Sequence, residues 1–357
     1  MPQYPRVAVV VPVYNKIELT IRFLESFQQI TYPNYSMIIV DDGSRDGTAE
    51  ILRARFPEVI VLKGDGNLWW SGATNLGVMY ALDLNYDYVL TINNDSRVNP
   101  DFLSRLVKTA QANPRSVVGC RINFLEQPTR VWGVGGRMEW RSGIVLQLLG
   151  YGMEQKDVLA LAPSPWRVAA LPGCGTLVPA QCYREAGLYD DKSFPQYHGD
   201  SEFTLRAAHT GYRILVDVDA VVWNDARNTS PLKKGWRYFF SKRSPGYWRP
   251  MLAIHLQYCP SRFLFTSMWR QYPRRRFGGM RLIASLLLCH SLLTRKVKRL
   301  LKSGGATRQT SSGSNAIVAT RLPSDSSSDY VPAPAFTRSP RALSERNQRD
   351  GRYSSVH

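Results

Sequence analysis

Three short stretches put carboxylates and amides directly after apolar runs: Pro12-Val13-Tyr14-Asn15, Asp41-Asp42-Gly43-Ser44 and Asn93-Asn94-Asp95. Any one of them reads as a turn, because Asn and Asp side chains hydrogen-bond their own backbone and tolerate unusual dihedrals. Together they describe something more. If the runs before them are parallel strands of one sheet, all three fall on a single edge, where ligands of open α/β sheets bind. Hard cations such as Mn2+ or Mg2+ take oxygen ligands, chiefly one or two carboxylates plus substrate phosphates. Such a rim suits a divalent metal and a sugar nucleotide. A fourth stretch, Gly199-Asp200-Ser201-Glu202-Phe203-Thr204-Leu205-Arg206, puts two acids in the first turn of a helix. The helix dipole alone favours carboxylates there.

The elements that must hold these residues follow from periodicity. Residues 7–11 form a continuous β-branched run, as expected of a parallel strand buried on both faces. Residues 16–29 then show helical spacing, with Ile17, Ile21, Leu24 and Phe27 on one side. Strands at 37–40, 59–62, 88–92 and 116–120 alternate with helices at 46–53, 72–82 and 101–112. This rhythm predicts an α/β fold with a doubly wound, mostly parallel sheet. Residues 132–167 loosen into a hairpin or excursion over one sheet edge. Regularity returns with a strand at 173–179, helices at 181–186 and 200–210, and strands at 212–216 and 220–223.

Charge divides the chain. Over residues 1–225 there are 21 Lys/Arg against 24 Asp/Glu, but residues 226–324 carry 20 Lys/Arg and no acid. The net charge of +18 therefore belongs to one segment. Aromatics are interleaved there with Lys233, Lys234, Arg237, Arg249 and the Arg274–Arg276 triplet. An apolar stretch at 282–293 is followed at once by Arg295, Lys296, Lys298 and Arg299. Twelve residues are too few to span a bilayer but suit a helix lying in an anionic membrane interface. Docking of the same helix onto the first domain fits the pattern equally. From residue 303 the composition is Ser/Gly/Thr/Arg/Pro-rich, as in disordered segments. The domains expected are thus 1–230, a basic, largely helical extension at 231–302, and a disordered tail at 303–357. Five cysteines without paired spacing, and no signal-peptide pattern, indicate reduced thiols in the cytoplasm.

The stretches VVVPVYNK, IIVDDGSRDGT, GNLWWSGATNLG, TINNDSRVNPDF and YHGDSEFTLRAAHTGYRI, in this order over about residues 6–225, resemble a family-2 glycosyltransferase of GT-A type. The resemblance implies that Asp41 and Asp42 read the base and ribose of a nucleotide. Pro12, Tyr14 and Asn15 would line the base pocket, with Asn67 a further polar position. Asp95 would hold Mn2+ or Mg2+, with Asn93 toward ribose or phosphate, and Asp200 would be the general base. Glu202 and Arg206 match the second acidic and the basic positions of the same motif. Trp69, Trp70 and Asn75 fall in the wall around nucleotide and donor sugar. Gly173, Cys174 and Gly175 resemble the segment that meets donor or acceptor. Cys174 itself reads as a small buried residue, since no His partner is suggested.

Two positions depart from the family pattern: Gly199 stands where an acid is usual, and the strand after the catalytic helix ends in Asn224-Asp225 rather than a metal-binding His. Asn224, Asp225, or no ligand from this strand, are the alternatives there. The activity implied is inverting transfer from a nucleoside-diphosphate sugar to a glycan or lipid-linked glycan at the inner face of the cell membrane. The NND element resembles rhamnosyl- and galactofuranosyltransferases, which makes deoxyhexoses candidates. Two rival readings are a nucleic-acid-binding protein, which the acidic rim disfavours, and a sugar-nucleotidyltransferase on a similar fold.

Overall fold

The computed structural model describes residues 4–141, 144–225, 238 and 240–271. The chain runs β1 (Val7–Val13), α1 (Ile17–Phe27), β2 (Tyr35–Asp41), α2 (Thr48–Arg55), β3 (Ile60–Lys63), α3 (Trp69–Asp83), β4 (Tyr88–Thr91), β5 (Ser96–Val98) and α4 (Phe102–Ala112). It continues with β6 (Ser116–Phe124), β7 (Val131–Gly133), β8 (Gly136–Glu139), β9 (Ile144–Leu148), α5 (Gln155–Leu161), β10 (Trp166–Arg167), β11 (Thr176–Pro179) and α6 (Ala180–Ala186). Then come α7 (Gly199–His209), β12 (Arg213–Asn224), α8 (Trp248–Tyr258) and α9 (Ser261–Gln271).

One large sheet has the strand order β10-β12-β6-β11-β4-β1-β2-β3, with β5 added beside β12 and β7 beside β6; β8 and β9 form a separate hairpin. The expected α/β sheet is present, and it is mixed. β3, β2, β1 and β4 are parallel, as are β6 and β12, but β11 runs antiparallel between β4 and β6. The segment around 173–179 thus enters the sheet from the opposite direction, bringing its leading loop to the edge where β1, β2 and β4 end.

Layering follows from alternation along β1. Val7, Val9, Val11 and Val13 pack with Phe23, Leu24 and Phe27 of α1 and with Phe102, Leu103 and Leu106 of α4. Val10 faces the other way, onto α3. The small residues of α3 allow that approach: a Cβ at Gly77 would stand 2.4 Å from Val10 Cγ1. The strands expected at 212–216 and 220–223 are one element, β12, in which Asp217-Val218-Asp219 interrupts the apolar run. In the fold a single strand bulges there, and the buried Asp217 accepts hydrogen bonds from the Thr109 hydroxyl and the backbone of Asp219 and Ala220. Such a bulge re-aims the rest of the strand.

A compact unit extends from the N-terminus to Gln271. It includes α8, whose Ile254 packs with Phe194, Met251 and Tyr258, so the boundary expected at 230 lies well inside this unit. Among the described residues no helix is long and apolar enough to cross a membrane. The stretch at 282–293 and the tail at 303–357 lie outside the described residues.

Candidate active site

The ends of β1 and β2 are locked to each other. Asn15 and Lys16 have left-handed backbones, φ 56° and 59°, a conformation that Asn tolerates better than most residues. The Asn15 N–H donates to Ser44 Oγ at 2.7 Å, and its Oδ1 accepts from the Arg45 N–H at 2.9 Å. Asp41 Oδ1 accepts from the Ser44 N–H at 2.9 Å. Asp42 looks toward the next loop: Oδ1 accepts from Gly66 (2.8 Å) and Leu68 (3.2 Å), Oδ2 from Trp69 (3.0 Å). A Cβ on Gly64 would lie 2.6 Å from Asp42 Oδ1, which only glycine avoids. Asp42 therefore shapes the loop that starts α3, with both oxygens engaged, whereas the sequence reading gave it to the nucleotide. Pro12 is half-buried, while Tyr14 and Asn67 stand exposed on the rim.

The three polar residues after β4 go three ways. Asn93 Oδ1 accepts from Trp70 Nε1–H at 3.1 Å, and Asn94 turns back to donate to Thr20 Oγ1 at 2.9 Å. Asp95 is the odd one. Its Oδ1 is shut off from solvent and has no hydrogen-bond partner among the described residues. Burial pushes its carboxyl up to about 6, against its own backbone N–H; Asp225 pushes the same way, and Lys16 and Arg97 oppose it. An acid oxygen buried without a donor is costly, and a cation relieves that cost. With Asp225 also buried nearby, the site fits a divalent metal that takes its remaining oxygens from a diphosphate.

Asp200 closes the other side. The backbone N–H of Gly173 donates to its Oδ2 at 2.8 Å, and that of Ser201 to its Oδ1 at 2.7 Å. Thr91 Oγ1, at the end of β4, donates to Gly173 O at 2.8 Å. A Cβ on Gly173 would fall 2.3 Å from Trp70 Cζ2 and 3.3 Å from Asp200 Cβ. Trp70, Gly173 and Asp200 thus form one wall, which the indole N–H joins to Asn93. Gly199, where an acid is usual, is explained by space: a Cβ there would meet Ser71 Oγ at 2.6 Å and Phe194 O at 3.2 Å.

Several expected ligand contacts prove to be supports. Glu202 is buried; Arg206 Nε and Nη2 donate to its two oxygens at 3.0 Å each, and the Tyr258 hydroxyl adds a third bond at 2.7 Å. Arg206 also donates to Ala186 O and, at 2.7 Å, to Leu188 O. The pair ties α7 to the 186–188 loop and to α8. Asn75 exchanges two hydrogen bonds with the backbone of Tyr189, whose ring meets Trp70 edge-on at 5.3 Å. Trp69 carries a left-handed backbone, φ 59°, at the start of α3, and Trp70, by its contacts with Asn93 and Gly173, is the indole in the wall. Gly175 has φ 77°, and a Cβ there would strike Cys120 Sγ at 2.4 Å. Cys174 is a buried thiol pushed up to about 11 by burial, with Ser96 Oγ at 3.2 Å and Asn224 Nδ2 at 3.7 Å from its sulfur.

Sequence reasoning passed over Tyr189, Gln196, whose Oε1 accepts from the Trp70 N–H at 3.3 Å, and Tyr258. An aromatic inside the Gly- and Asp-rich GLYDD loop was a usable signal for the first. Gln196 and Tyr258 carry no local signal, because their partners are 126 and 56 residues away.

The layered mixed sheet is that of a GT-A fold. Residues 8–161 match the Glycosyl transferase family 2 profile. The chain is 37% identical over 127 residues to the undecaprenyl-phosphate 4-deoxy-4-formamido-L-arabinose transferase of Photorhabdus laumondii, covering 33% of this chain and 38% of that protein. It is 28% identical over 130 residues to the UDP-N-acetylglucosamine–dolichyl-phosphate N-acetylglucosaminyltransferase of Methanococcus voltae, covering 32% of this chain and 51% of that one. It therefore spans about half or less of these relatives. Among solved structures, GalNAc-T7 with UDP, GalNAc and Mn2+ aligns at a TM-score of 0.57 and 15% identity, over 79% of this chain and 54% of that one. The mannosyltransferase PcManGT of Pyrobaculum calidifontis, with GDP-Man and Mn2+, aligns at 0.51 and 19%, over 85% and 81%. At these identities the structural likeness speaks for the fold.

Proposed function

We propose that this chain is an inverting glycosyltransferase that moves a sugar from a nucleoside diphosphate to a hydroxyl of a glycan or lipid-linked acceptor. The observation that carries the proposal is the single wall formed by Asn93, Trp70, Gly173 and Asp200, with Asp95 beside it. Asp41 and the 12–15 loop hold the nucleoside, and Trp70 offers the donor sugar an apolar face with its indole N–H already engaged. Asp200 is fixed by two backbone donors, which set its orientation before substrate arrives. It accepts the acceptor's hydroxyl proton as the new bond to the anomeric carbon forms and the bond to the diphosphate breaks. No nucleophile is assigned behind the sugar, so displacement is direct and the configuration inverts. A bound Mn2+ or Mg2+, held by Asp95, supplies neutralisation of the leaving diphosphate's charge.

The undecaprenyl-phosphate and dolichyl-phosphate in the names of the relatives support a lipid-linked acceptor. The NND element favours deoxyhexose donors as the first to assay. The test is thermal stabilisation of the protein by a panel of nucleoside diphosphates with Mn2+, Mg2+ or chelator, on wild type and Asp95→Ala. A ligand at about 100 times its dissociation constant adds roughly 2.7 kcal/mol. One nucleotide should stabilise wild type only with metal and leave Asp95→Ala unmoved. Asp200→Asn should keep that binding and lose transfer. Failure of every nucleotide would refute the proposal.

A further inference from the structure

The register of β5 against the end of β12 bears on what completes the metal site, given the glycosyl-transfer reading above. These strands pair antiparallel with Val222 opposite Val98, Trp223 opposite Arg97 and Asn224 opposite Ser96. The ladder takes one more step: the Asp225 N–H donates to Asp95 O at 3.1 Å. Asp225 and Asp95 are therefore directly opposed, and such residues share a face with Cβ atoms about 5 Å apart. Successive residues point to opposite faces, so the preceding pair faces the other way. The contacts agree, since Ser96 Oγ and Asn224 Nδ2 both converge on Cys174 Sγ, at 3.2 and 3.7 Å.

Two carboxylates opposed across a ladder repel each other; here Asp225 is buried, and Asp95 has an oxygen sealed from water without a donor. From this juxtaposition we infer that Asp225, not Asn224, joins Asp95 as the protein's second oxygen ligand to the divalent metal. The chain thus meets the cation with two carboxylates from two strand ends, while Asn224 belongs to the packing around Cys174.

The test is a titration of the full-length protein with Mn2+ alone, following loss of the free-ion paramagnetic resonance signal. Wild type, Asp95→Asn, Asp225→Asn and Asn224→Ala are compared. Asp95→Asn and Asp225→Asn should each weaken binding roughly tenfold or more, and Asn224→Ala less than about twofold. Metal-free Asp225→Asn should keep the far-UV circular dichroism of wild type, so that a loss of Mn2+ binding reports on the site and not on the fold. If that spectrum is lost, Asp225 holds the fold and the inference fails. Weakening by Asp95→Asn and Asn224→Ala but not by Asp225→Asn also overturns it, as does weakening by Asp95→Asn alone. Those last two results leave the proposed metal-assisted function intact. No binding in wild type, or binding indifferent to all three substitutions, overturns both.

Discussion

Replacing Gly173 with alanine probes the wall that joins the proposed base to the donor side. The added Cβ would stand 2.3 and 2.4 Å from Trp70 Cζ2 and Cη2, where carbon atoms ordinarily rest about 3.5–4.0 Å apart. The indole must withdraw by more than an ångström or the 172–175 loop must shift. Trp70 is tethered by its indole bond to Asn93 (3.1 Å), its backbone bond to Gln196 (3.3 Å) and its edge contact with Tyr189. Overpacking of this kind costs about 1–3 kcal/mol, and loss of the indole hydrogen bond adds about 1 kcal/mol. Urea denaturation of wild type, Gly173→Ala, Trp70→Leu and the double variant measures it. Since leucine vacates the space that the new Cβ needs, the two changes together should cost about 1–2 kcal/mol less than their sum. Additivity within about 0.5 kcal/mol would show that Trp70 and Gly173 do not share this contact, and the wall would fall with it.

Asp95 should reduce the metal-free protein's stability above neutrality. Its folded value of about 6 exceeds the ordinary 3.8, so the folded state binds the proton more tightly and stability falls as pH rises through that window. Asp95→Asn should therefore be more stable than wild type by about 3 kcal/mol at pH 8 and equal to it below pH 4, by denaturant titration; equal stability at pH 8 would refute the burial argument. Removing the negative charge beside Arg206 in Glu202→Gln should cost about 2–4 kcal/mol and Tyr258→Phe about 1–2 kcal/mol, with no change in nucleotide affinity. An affinity loss would return Glu202 to the binding site. Anionic liposomes should retain the full chain and lose it on deletion of residues 280–302, and equal sedimentation of both proteins would exclude that stretch as an anchor.

The sequence by itself determined the strands and helices around the rim, because alternation and helical spacing are local properties of the chain. It also placed Asn93-Asn94-Asp95 and Asp41-Asp42 at strand ends. What it could not assign was which polar side chain faces a ligand and which braces the fold. Asp42, Asn75, Glu202 and Arg206 look like site residues in sequence, yet their partners are backbone and side-chain groups brought in from other segments. Asn224 and Asp225 differ by one position, and only pairing with β5 separates them, because one step along a strand reverses the face. Tertiary structure also drew α8 onto Glu202 and turned β11 antiparallel, bringing Gly173 against Trp70 and Asp200. Such choices depend on register and on contacts far apart in the chain, which local spacing does not encode.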